Sequence, residues 1–269
     1  MKNYQLIGKD INLSLSPYIH NYIFNEYSIN ANYSLRSINS KESIAKVIKD
    51  IRNNKVDGIN ITNPYKQDVM NYIERKDFIC SKIDSANCVS FHDDLINGHN
   101  TDWFGFIKMI ERNKINLKNK KIHIIGYGGA SKAVIYALDK MGSFNITIHS
   151  RSQSNHMIKK FNDVHNLIKD IKVNEVVIIN ASPYNFIENE YNIINKIISS
   201  NIVWIDLLYT KLSTKSIHIF LTNEGLYFNG IDMLLYQALE SINIWLRNDI
   251  LNSVDFSKLK QYINEVKIA

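Results

Sequence analysis

The sequence predicts an α/β protein of two domains, an N-terminal α/β domain followed by a Rossmann-like dinucleotide-binding domain with a parallel sheet. Three observations support this. Short apolar segments of strand length alternate with segments of helical periodicity. A strand at 122–125 runs into a glycine-rich turn and then a helix. With 269 residues, 45% of them apolar, the chain can bury two cores.

The predicted elements of the first half follow from local spacing and breakers. Pro17 starts a helix, and Ile44, Val47, Ile48 and Ile51 recur at helical intervals. In order, the predictions are a strand at 4–7, a helix at 17–27, an extended segment at 33–35, a helix at 41–51, a strand at 58–61, two helical stretches, and strands at 87–91 and 95–100.

The second half reads as repeated strand and helix units, which predicts a parallel sheet. The last segment reads as two helices. In order, the predictions are a helix at 103–112, strands at 122–125 and 145–149 on either side of a helix at 130–140, strands at 175–179 and 203–206, and helices at 231–246 and 255–266.

The composition excludes several classes of protein. Only 10 Gly and 3 Pro occur, with no low-complexity run, which excludes a fibrous or disordered chain. The apolar segments fall short of the roughly 20 residues of a membrane-spanning helix, and the first residues do not resemble a signal peptide. Cys80 and Cys88 are too few for a disulfide framework. We therefore expect a cytoplasmic protein.

The net charge of +6 arises from Lys and Arg that are dispersed along the chain and form no long basic run. We therefore expect neither a nucleic-acid nor a membrane partner. A modest positive field would instead help to recruit an anionic small molecule.

The turn Gly126-x-Gly128-Gly129-Ala130 stands between a predicted strand and a predicted helix. Glycine permits the tight turn and lets backbone N–H groups approach a pyrophosphate at the start of the helix. A purely structural turn is the alternative. After the second strand come Ser150, Arg151 and Ser152 without an acidic residue, which favours NADP over NAD because a 2′-phosphate needs Arg and hydroxyl donors. Arg151 could also be a solvated loop residue.

Four polar groups lie where predicted strands end. They are Ser14 with Ser16, the segment from Asn60 through Thr62 to Lys66, Asn87, and Asp102. Taken singly, each has an ordinary explanation, because serines and aspartates cap helices and a lone lysine is usually on the surface.

Together these groups match one pattern, and the sequence resembles the shikimate dehydrogenase family. The match runs from residue 4 to about residue 246. The matching motifs are Ser14-x-Ser16-Pro17-x-x-His20, Asn60-x-Thr62-x-Pro64-x-Lys66, Ala86-Asn87, Gly98-x-Asn100-Thr101-Asp102-x-x-Gly105-Phe106, the glycine turn, Asn180-Ala181-x-Pro183, Asp206-Leu207-x-Tyr209, and Gly230-x-x-Met233-Leu234-x-x-Gln237-Ala238.

The resemblance implies an oxidoreductase that reduces 3-dehydroshikimate to shikimate with NADPH, in the pathway to chorismate and the aromatic amino acids. It implies a substrate-binding and catalytic domain at 1–102 and an NADP-binding domain at 103–230. A C-terminal segment, 231–269, would pack back on the first domain, with catalysis in the cleft between the domains. We expect a monomer or a homodimer.

The resemblance also implies the site residues. Lys66 would be the acid and base of the reaction, with Asp102 beside it. Hydride transfer to a ketone leaves an alkoxide that needs a proton, and Asp102 would stabilise the ammonium form that partial desolvation disfavours. Substrate contacts would come from Ser14 and Ser16 to the carboxylate, assisted by Tyr209, and from Asn60, Thr62, Asn87, Asp102 and Gln237 to the ring hydroxyls. Cofactor contacts would come from Gly126, Tyr127, Gly128, Gly129, Ala130, Ser150, Arg151, Ser152, Leu207 and Gly230.

The chain departs from the family pattern mainly in its cofactor half. The departures are Tyr127, Cys88 in place of Thr, Tyr184-Asn185-Phe186 in place of Gly-Met, Asn155 in place of a basic residue, and Asp232. Two alternatives stay open. One is a dehydrogenase that also accepts quinate with either nicotinamide cofactor, and the other is a nucleotide-binding relative that has lost the reaction. His92, His99 and His123 show no metal-ligand spacing with Cys or acidic residues, and we expect no metal.

Overall fold

The computed structural model describes residues 1–150, 158–160, 176–196, 198, 202–209 and 212–268. The chain forms two compact units, Met1–Met109 with Asp232–Ala269, and Ile110–Ile231. The predicted α/β class is confirmed, and each unit is built around one sheet.

The sheet of the first unit has six strands in the order β2-β1-β3-β5-β6-β4. Strands β1, β2 and β3 are parallel, whereas β5 runs antiparallel to both β3 and β6. The two-residue strand β4 was not predicted, since so short a segment carries no periodicity. The strands are β1 (Lys2–Gly8), β2 (Ala31–Ser37), β3 (Gly58–Ile61), β4 (Arg75–Lys76), β5 (Cys88–His92) and β6 (Leu95–His99).

Helices α1 (Ser16–Glu26), α2 (Ser43–Arg52), α3 (Phe78–Ile83) and α4 (Asp102–Arg112) follow or separate these strands. Pro17 lies in the first turn of α1, where its missing N–H costs nothing. The predicted apolar stripe of α2 is buried, and it packs in one core cluster with Ile59 and Ile61 of β3. The side chain of Asp77 caps α3 by accepting from the backbone N of Cys80 at 2.6 Å.

The chain returns to the first unit through its last two helices, which we number α9 (Ile231–Leu246) and α10 (Phe256–Ile268). Trp245 of α9 stacks on Tyr4 of β1, with ring centroids 4.3 Å apart, and its Nε1 donates to Val89 O at 3.0 Å. Asp232, one of the departures from the family pattern, is buried at the start of α9 and pairs with Nζ of Lys260 at 2.5 Å.

The second unit contains a six-stranded sheet in the order β12-β11-β10-β7-β8-β9, and all its neighbouring strands are parallel. All five residues of β10 and of β11 are buried, as expected for central strands covered on both faces. The strands are β7 (Lys121–Ile125), β8 (Ile146–Ser150), β9 (Ile158–Lys160), β10 (Val176–Asn180), β11 (Ile202–Asp206) and β12 (Leu226–Asn229). The helices among the described residues of this unit are α5 (Gly129–Lys140), α6 (Phe186–Asn189), α7 (Tyr191–Ile194) and α8 (Thr214–Thr222).

No helix among the described residues is both long enough and apolar enough to cross a membrane.

Candidate active site

Strand direction brings the predicted polar residues of the first unit to one edge of its sheet. The carboxyl ends of β1 and β3 lie at this edge because the two strands are parallel. Asn60 pairs with Cys88, and Cys88 pairs with His99, so the start of β5 and the end of β6 lie at the same edge. Predicted site residues that are more than 80 positions apart in sequence, such as Ser14 and Asp102, therefore lie at the same edge of this sheet.

The central feature of this edge is an ion pair between Lys66 and Asp102. Nζ of Lys66 lies 2.6 Å from Oδ2 of Asp102, and their side chains are only 15% and 7% exposed. Water screens such a pair weakly, so each partner restricts the position of the other. Asp102 begins α4, and its backbone N donates to Oδ1 of Asn100 at 3.1 Å.

Asn87 holds the other oxygen of the Asp102 carboxylate. Its Nδ2 donates to Oδ1 of Asp102 at 2.9 Å, and its Oδ1 accepts from the backbone N of Thr101 at 2.6 Å. A backbone N–H can only donate and a carboxylate can only accept, so these two partners determine the orientation of the amide. Asn87 is 2% exposed. Both oxygens of Asp102 are thus engaged, which leaves little freedom for its side chain to rotate.

Gln237, on α9, completes this cluster. Its Oε1 accepts from Nδ2 of Asn87 at 3.3 Å and from Oγ1 of Thr101 at 3.4 Å, and its Nε2 donates to the carbonyl of Leu234 at 2.9 Å. Thr101 and Ser241 also belong to the cluster, and the sequence analysis assigned neither a role. Ser241 lies one helical turn after Gln237, a spacing that places both side chains on one face.

Ser14 and Ser16 lie in the loop after β1 and at the first residue of α1. The backbone N of Ser16 donates to Oγ of Ser14 at 3.2 Å, and the two hydroxyl oxygens are also 3.2 Å apart. The residue before the helix, Leu15, provides no side-chain cap. Two neighbouring hydroxyls beside a helix N-terminus suit a carboxylate, because the first N–H groups of a helix carry partial positive charge.

Asn60 is more constrained than the sequence indicates. Both hydrogens of its amide have acceptors within the unit, the carbonyl of Asn87 at 3.0 Å and Oγ of Ser241 at 2.9 Å. Its Oδ1 accepts from the hydroxyl of Tyr33 at 2.9 Å. Thr62 follows Asn60 by two residues and is partly exposed, and its backbone N donates to the carbonyl of Ile7 at 2.9 Å.

Two buried titratable groups beside this cluster are kept neutral. Burial lowers the pKa of His20 to about 4, while its hydrogen bond to the carbonyl of Ser16 acts in the opposite direction. Burial raises the pKa of the Cys88 thiol far above its ordinary value, against a hydrogen bond from Ser241. Cys80 and Cys88 are both free and buried, so neither is suited to react as a thiolate.

In the second unit, the glycine turn connects β7 to α5. Gly126 has a φ of +102°, and a Cβ there would meet Ala181 O and Ser182 N at 3.1 Å. The Oγ of Ser131 accepts from the backbone N of Gly128 at 2.8 Å and donates to the carbonyl of Gly128 at 2.9 Å. A Cβ at Gly128 would meet no described atom within 4 Å, so the backbone is open to a ligand at the start of α5. This arrangement fits a pyrophosphate. Tyr127 of the turn is partly exposed, and so are Gly129 and Ala130, the first two residues of α5.

The ends of β10 and β11 are joined by Asn180 and Asp206. Oδ1 of Asp206 accepts from Nδ2 of Asn180 at 3.1 Å and from the backbone N of Leu208 at 3.0 Å. Burial raises the pKa of Asp206 to about 6. Asn180 also donates to the carbonyl of Tyr184 at 2.9 Å. This bond holds the first residue of the segment 184–186, which departs from the family pattern, close to the end of β10.

Leu207 and Gly230 approach closely at this end of the sheet. A Cβ at Gly230 would collide with the backbone of Leu207, which accounts for the glycine.

Tyr209, two residues after Leu207, is partly exposed and belongs to the second unit, whereas the other predicted substrate residues belong to the first. Ser150, at the end of β8, is 4% exposed. Arg151, Ser152 and Asn155 lie outside the described residues.

No group of three or more possible metal ligands is found among the described residues. His99, His123 and His149 have other partners. Nδ1 of His99 lies 2.8 Å from Oδ2 of Asp77, and Nδ1 of His123 lies 2.8 Å from Nε2 of His149.

These features define an α/β protein that joins a parallel, nucleotide-binding type of unit to a unit carrying a lysine–aspartate pair among hydrogen-bonding side chains. Residues 6–89 match the family model described as the shikimate dehydrogenase substrate binding domain. The chain is 34% identical over 251 residues to a shikimate dehydrogenase (NADP(+)) of Clostridium botulinum, covering 91% of this chain and 96% of that protein. It belongs to the shikimate dehydrogenase family, which confirms the resemblance found in its motifs.

Other relatives agree. A shikimate dehydrogenase (NADP(+)) of Caldicellulosiruptor bescii is 31% identical, covering 94% of this chain and 91% of the relative. Among solved structures, shikimate dehydrogenase 1 of Peptoclostridium difficile superposes with a TM-score of 0.80 at 28% identity, covering 100% of this chain and 98% of that chain. A shikimate dehydrogenase solved with NADP+ gives a TM-score of 0.79 at 26% identity, covering 98% and 95%.

Proposed function

We propose that this protein is a shikimate dehydrogenase that reversibly reduces 3-dehydroshikimate to shikimate with NADPH, a step towards chorismate and the aromatic amino acids. The observation that carries the proposal is the Lys66–Asp102 pair, 2.6 Å apart and mostly buried, on the edge that also carries Ser14, Ser16, Asn87 and Gln237. The chain's family membership and the names of its relatives favour this reaction over quinate oxidation with either cofactor.

The role of Lys66 follows from the chemistry of carbonyl reduction. When hydride reaches the ketone carbon, its oxygen becomes an alkoxide that must take a proton. We assign that proton to Nζ of Lys66, and in the oxidation direction the same nitrogen accepts the proton of the hydroxyl. Asp102 would hold the lysine side chain in position for this proton transfer.

The same edge supplies specificity for the ring hydroxyls. The carboxylate oxygens of Asp102 keep lone pairs beside their bonds to Lys66 and Asn87, so a substrate hydroxyl can donate to this carboxylate. Gln237 and Thr62 offer further polar groups at this edge, and the remaining lone pair of the Asn60 carbonyl is an acceptor. A substrate lacking a hydroxyl would leave a buried polar group without a partner, at a cost of about 1–3 kcal/mol.

The carboxylate of the substrate is assigned to Ser14 and Ser16, with assistance from Tyr209. Each serine can donate one hydrogen bond, and the N-terminus of α1 adds favourable electrostatic potential. This places the carboxylate on the β1 side of the edge and the reacting carbonyl on the side of Lys66.

NADPH supplies the hydride when it is bound. We assign its pyrophosphate to Gly126, Tyr127, Gly128, Gly129 and Ala130, where the backbone is open at the start of α5. Ser150, Arg151 and Ser152 would receive the 2′-phosphate, because a guanidinium and hydroxyls can pair with a dianion and no acidic residue stands among them. Leu207 and Gly230 would border the nicotinamide.

We also propose the domain boundaries 1–102, 103–230 and 231–269 as functional divisions of the chain.

We further propose that the protein is a cytoplasmic monomer or homodimer. We propose no nucleic-acid partner, since the cationic side chains are dispersed along the sequence. Light scattering of the purified protein measures the oligomeric state, and titration with duplex DNA at low salt tests the nucleic-acid statement.

The experiment for the activity is direct. The purified protein is supplied with shikimate or quinate and with NADP+ or NAD+, and formation of reduced nicotinamide is followed by its near-ultraviolet absorbance. We expect the highest kcat/KM with shikimate and NADP+. A higher kcat/KM with quinate would overturn the substrate assignment, and absence of turnover in all four pairs would overturn the enzyme assignment.

A further inference from the structure

Ser241 lies on α9 and is 0% exposed, and no motif singled it out. Its Oγ accepts from Nδ2 of Asn60 at 2.9 Å, across 181 positions of sequence. The same hydroxyl donates its hydrogen to the backbone carbonyl of Gln237 at 2.8 Å, one helical turn earlier. Serines in helices often make this second bond, and alone it would give Ser241 a purely structural role. The bond to Asn60 connects Ser241 to the candidate site.

The direction of each hydrogen bond around Asn60 is determined by its partners. Nδ2 of Asn60 also donates to the backbone carbonyl of Asn87 at 3.0 Å, and a carbonyl can only accept. Oδ1 of Asn60 accepts from the hydroxyl of Tyr33 at 2.9 Å. A side-chain amide has two N–H hydrogens, so Asn87 and Ser241 together use both of them. Asn60 therefore offers a ligand only the remaining lone pair of its Oδ1.

This arrangement limits which atoms of a substrate Asn60 can contact. A ring hydroxyl can donate to Oδ1 of Asn60, whereas a ketone oxygen can only accept and meets no free N–H there. The ketone oxygen of 3-dehydroshikimate is therefore left to Lys66, whose Nζ can donate. Asn60 thus distinguishes a hydroxyl of the substrate from its reacting carbonyl.

From these contacts we infer that Ser241 is a positioning residue for substrate binding, which takes the second amide hydrogen of Asn60 and keeps Asn60 as an acceptor for a ring hydroxyl. The inference rests on the proposed function, because Asn60 contacts a ring hydroxyl there. Ser241 acts on the substrate through Asn60.

Other contacts hold α9 in place when the Ser241 hydroxyl is removed. Nε1 of Trp245 donates to the carbonyl of Val89 at 3.0 Å. A Cβ at Gly105 of α4 would meet the carbonyl of Met233 at 2.6 Å, so α4 and α9 approach each other closely through their backbones. Alanine also has the highest helix propensity. We therefore expect Ser241→Ala to fold with α9 in its place.

The loss of the hydroxyl acts mainly on Asn60. Oγ1 of Thr101 is 3.2 Å from Oγ of Ser241, but it also has Oε1 of Gln237 as an acceptor at 3.4 Å. One N–H of Asn60, by contrast, loses its acceptor. Asn60 is 5% exposed, so in the free variant this N–H can turn to water. A bound substrate displaces that water, and the cost of the unpaired N–H then appears in KM.

The test compares the kinetics of Ser241→Ala with those of the wild type. We expect the KM for shikimate to rise about ten-fold, with kcat within about three-fold and the KM for NADP+ unchanged, because binding of the substrate and of the transition state is weakened alike. Calorimetric titration with shikimate should show the same loss of affinity. An unchanged shikimate KM would overturn the inference. A large fall in kcat with an unchanged KM would overturn it too, because it would indicate an effect on the proton transfer.

Ser90→Ala is the matched control. Ser90 lies on β5 of the same unit and is also 0% exposed, and its Oγ is 3.3 Å from Nε2 of His99, outside the candidate cluster. This variant removes a buried serine hydroxyl with a partner and should leave both KM values unchanged. An equal rise of the shikimate KM in Ser90→Ala and Ser241→Ala would show a general effect of destabilisation and would overturn the positioning role.

A double-mutant cycle with Asn60→Ala tests whether Ser241 acts through Asn60. If it does, adding Ser241→Ala to Asn60→Ala raises the shikimate KM little further, so the combined effect is much smaller than the product of the two separate effects. Multiplicative effects would overturn the inference.

A second measurement is independent of activity. Hydrogen exchange of the Asn60 side-chain amide, followed by NMR of 15N-labelled protein, should be faster in Ser241→Ala than in the wild type, and equal rates would contradict the role. If Ser241→Ala does not fold, Ser241→Cys keeps a side chain of similar shape whose sulfur is a weak acceptor. The same rise in KM is expected there, and an unchanged KM would again overturn the inference.

Failure of the proposed function gives a different result. A wild-type protein that turns over neither shikimate nor quinate disproves the function itself. An active wild type whose Ser241→Ala variant binds shikimate equally well disproves only the positioning role.

Discussion

Nζ of Lys66 and Oδ2 of Asp102 are 2.6 Å apart, on side chains carried by the loop after β3 and by the first residue of α4. The pair is held from both sides, since Asn87 bonds the second carboxylate oxygen and the backbone carbonyl of Lys66 accepts from the N of Ala86 at 2.9 Å. These contacts fix the positions of both side chains, which suits a group that would donate and regain one proton in each cycle.

Replacing Lys66 with alanine should reduce kcat by about a hundred- to ten-thousand-fold, the usual contribution of a positioned acid or base. Shikimate affinity, measured by calorimetry, should change little because the carboxylate and hydroxyl contacts remain. Lys46→Ala, on the exposed face of α2, is the matched control and should keep wild-type kinetics. Comparable turnover in Lys66→Ala and wild type would exclude this role for Lys66.

Ser14→Ala and Ser16→Ala should each raise the KM for shikimate by about ten- to a hundred-fold and affect kcat less, because a hydrogen bond to a charged group is worth about 1.5–3 kcal/mol. Steady-state kinetics at saturating NADP+ measures both constants. Ser40→Ala, in an exposed part of the same unit, serves as the control. Unchanged KM values in both variants would show that the two serines do not bind the substrate carboxylate and have only a structural role at the start of α1.

Two glycines of the turn after β7 should respond in opposite ways to alanine. Gly126→Ala places a Cβ at a φ of +102° and 3.1 Å from Ala181 O and Ser182 N, so it should destabilise the protein by more than about 1 kcal/mol. Gly128→Ala meets no described atom within 4 Å, so it should fold nearly normally but raise the KM for NADP+.

Thermal unfolding and cofactor titration together check this pair of predictions. An unchanged NADP+ affinity in Gly128→Ala would contradict the assignment of the pyrophosphate to this turn. A Gly126→Ala variant as stable as the wild type would contradict the close approach to the loop after β10.

Asp206 should make the stability of the protein depend on pH. Its pKa is raised from 3.8 to about 6 by burial, so the folded state favours the protonated form. The contribution of Asp206 to the free energy of unfolding is complete below about pH 3.8 and is lost as the pH rises through about 6. The two-unit shift corresponds to about 3 kcal/mol.

Asp206→Asn removes this titration while keeping an acceptor for Leu208 and Asn180. Relative to the wild type, the variant should therefore gain free energy of unfolding between about pH 4 and pH 7.5. Denaturant titrations of both proteins across this range give the difference. Taking the difference matters because His20, with its pKa lowered to about 4, adds an opposite trend to both proteins. A difference that does not vary with pH would contradict the raised pKa.

Much of this protein could be predicted from local sequence. The order of strands and helices follows from apolar spacing and from breakers such as Pro17, because main-chain geometry repeats over a few residues. The glycine turn was recognisable because its strand and helix neighbours are local too. Lys66 and Asp102 were found as members of spaced motifs, although nothing in their spacing shows that their charged groups meet.

The tertiary structure decided which side chains share a hydrogen bond. Asn60 bonds to residues 27 positions away in both directions and to Ser241, 181 positions away. Those partners depend on the register of β3 with β5 and on the return of α9 to the first sheet, which are long-range properties that a single sequence does not display. Tyr33 and Ser241 could not be recognised from the sequence for the same reason, because the hydrogen-bond partners of a buried hydroxyl are determined by the tertiary structure.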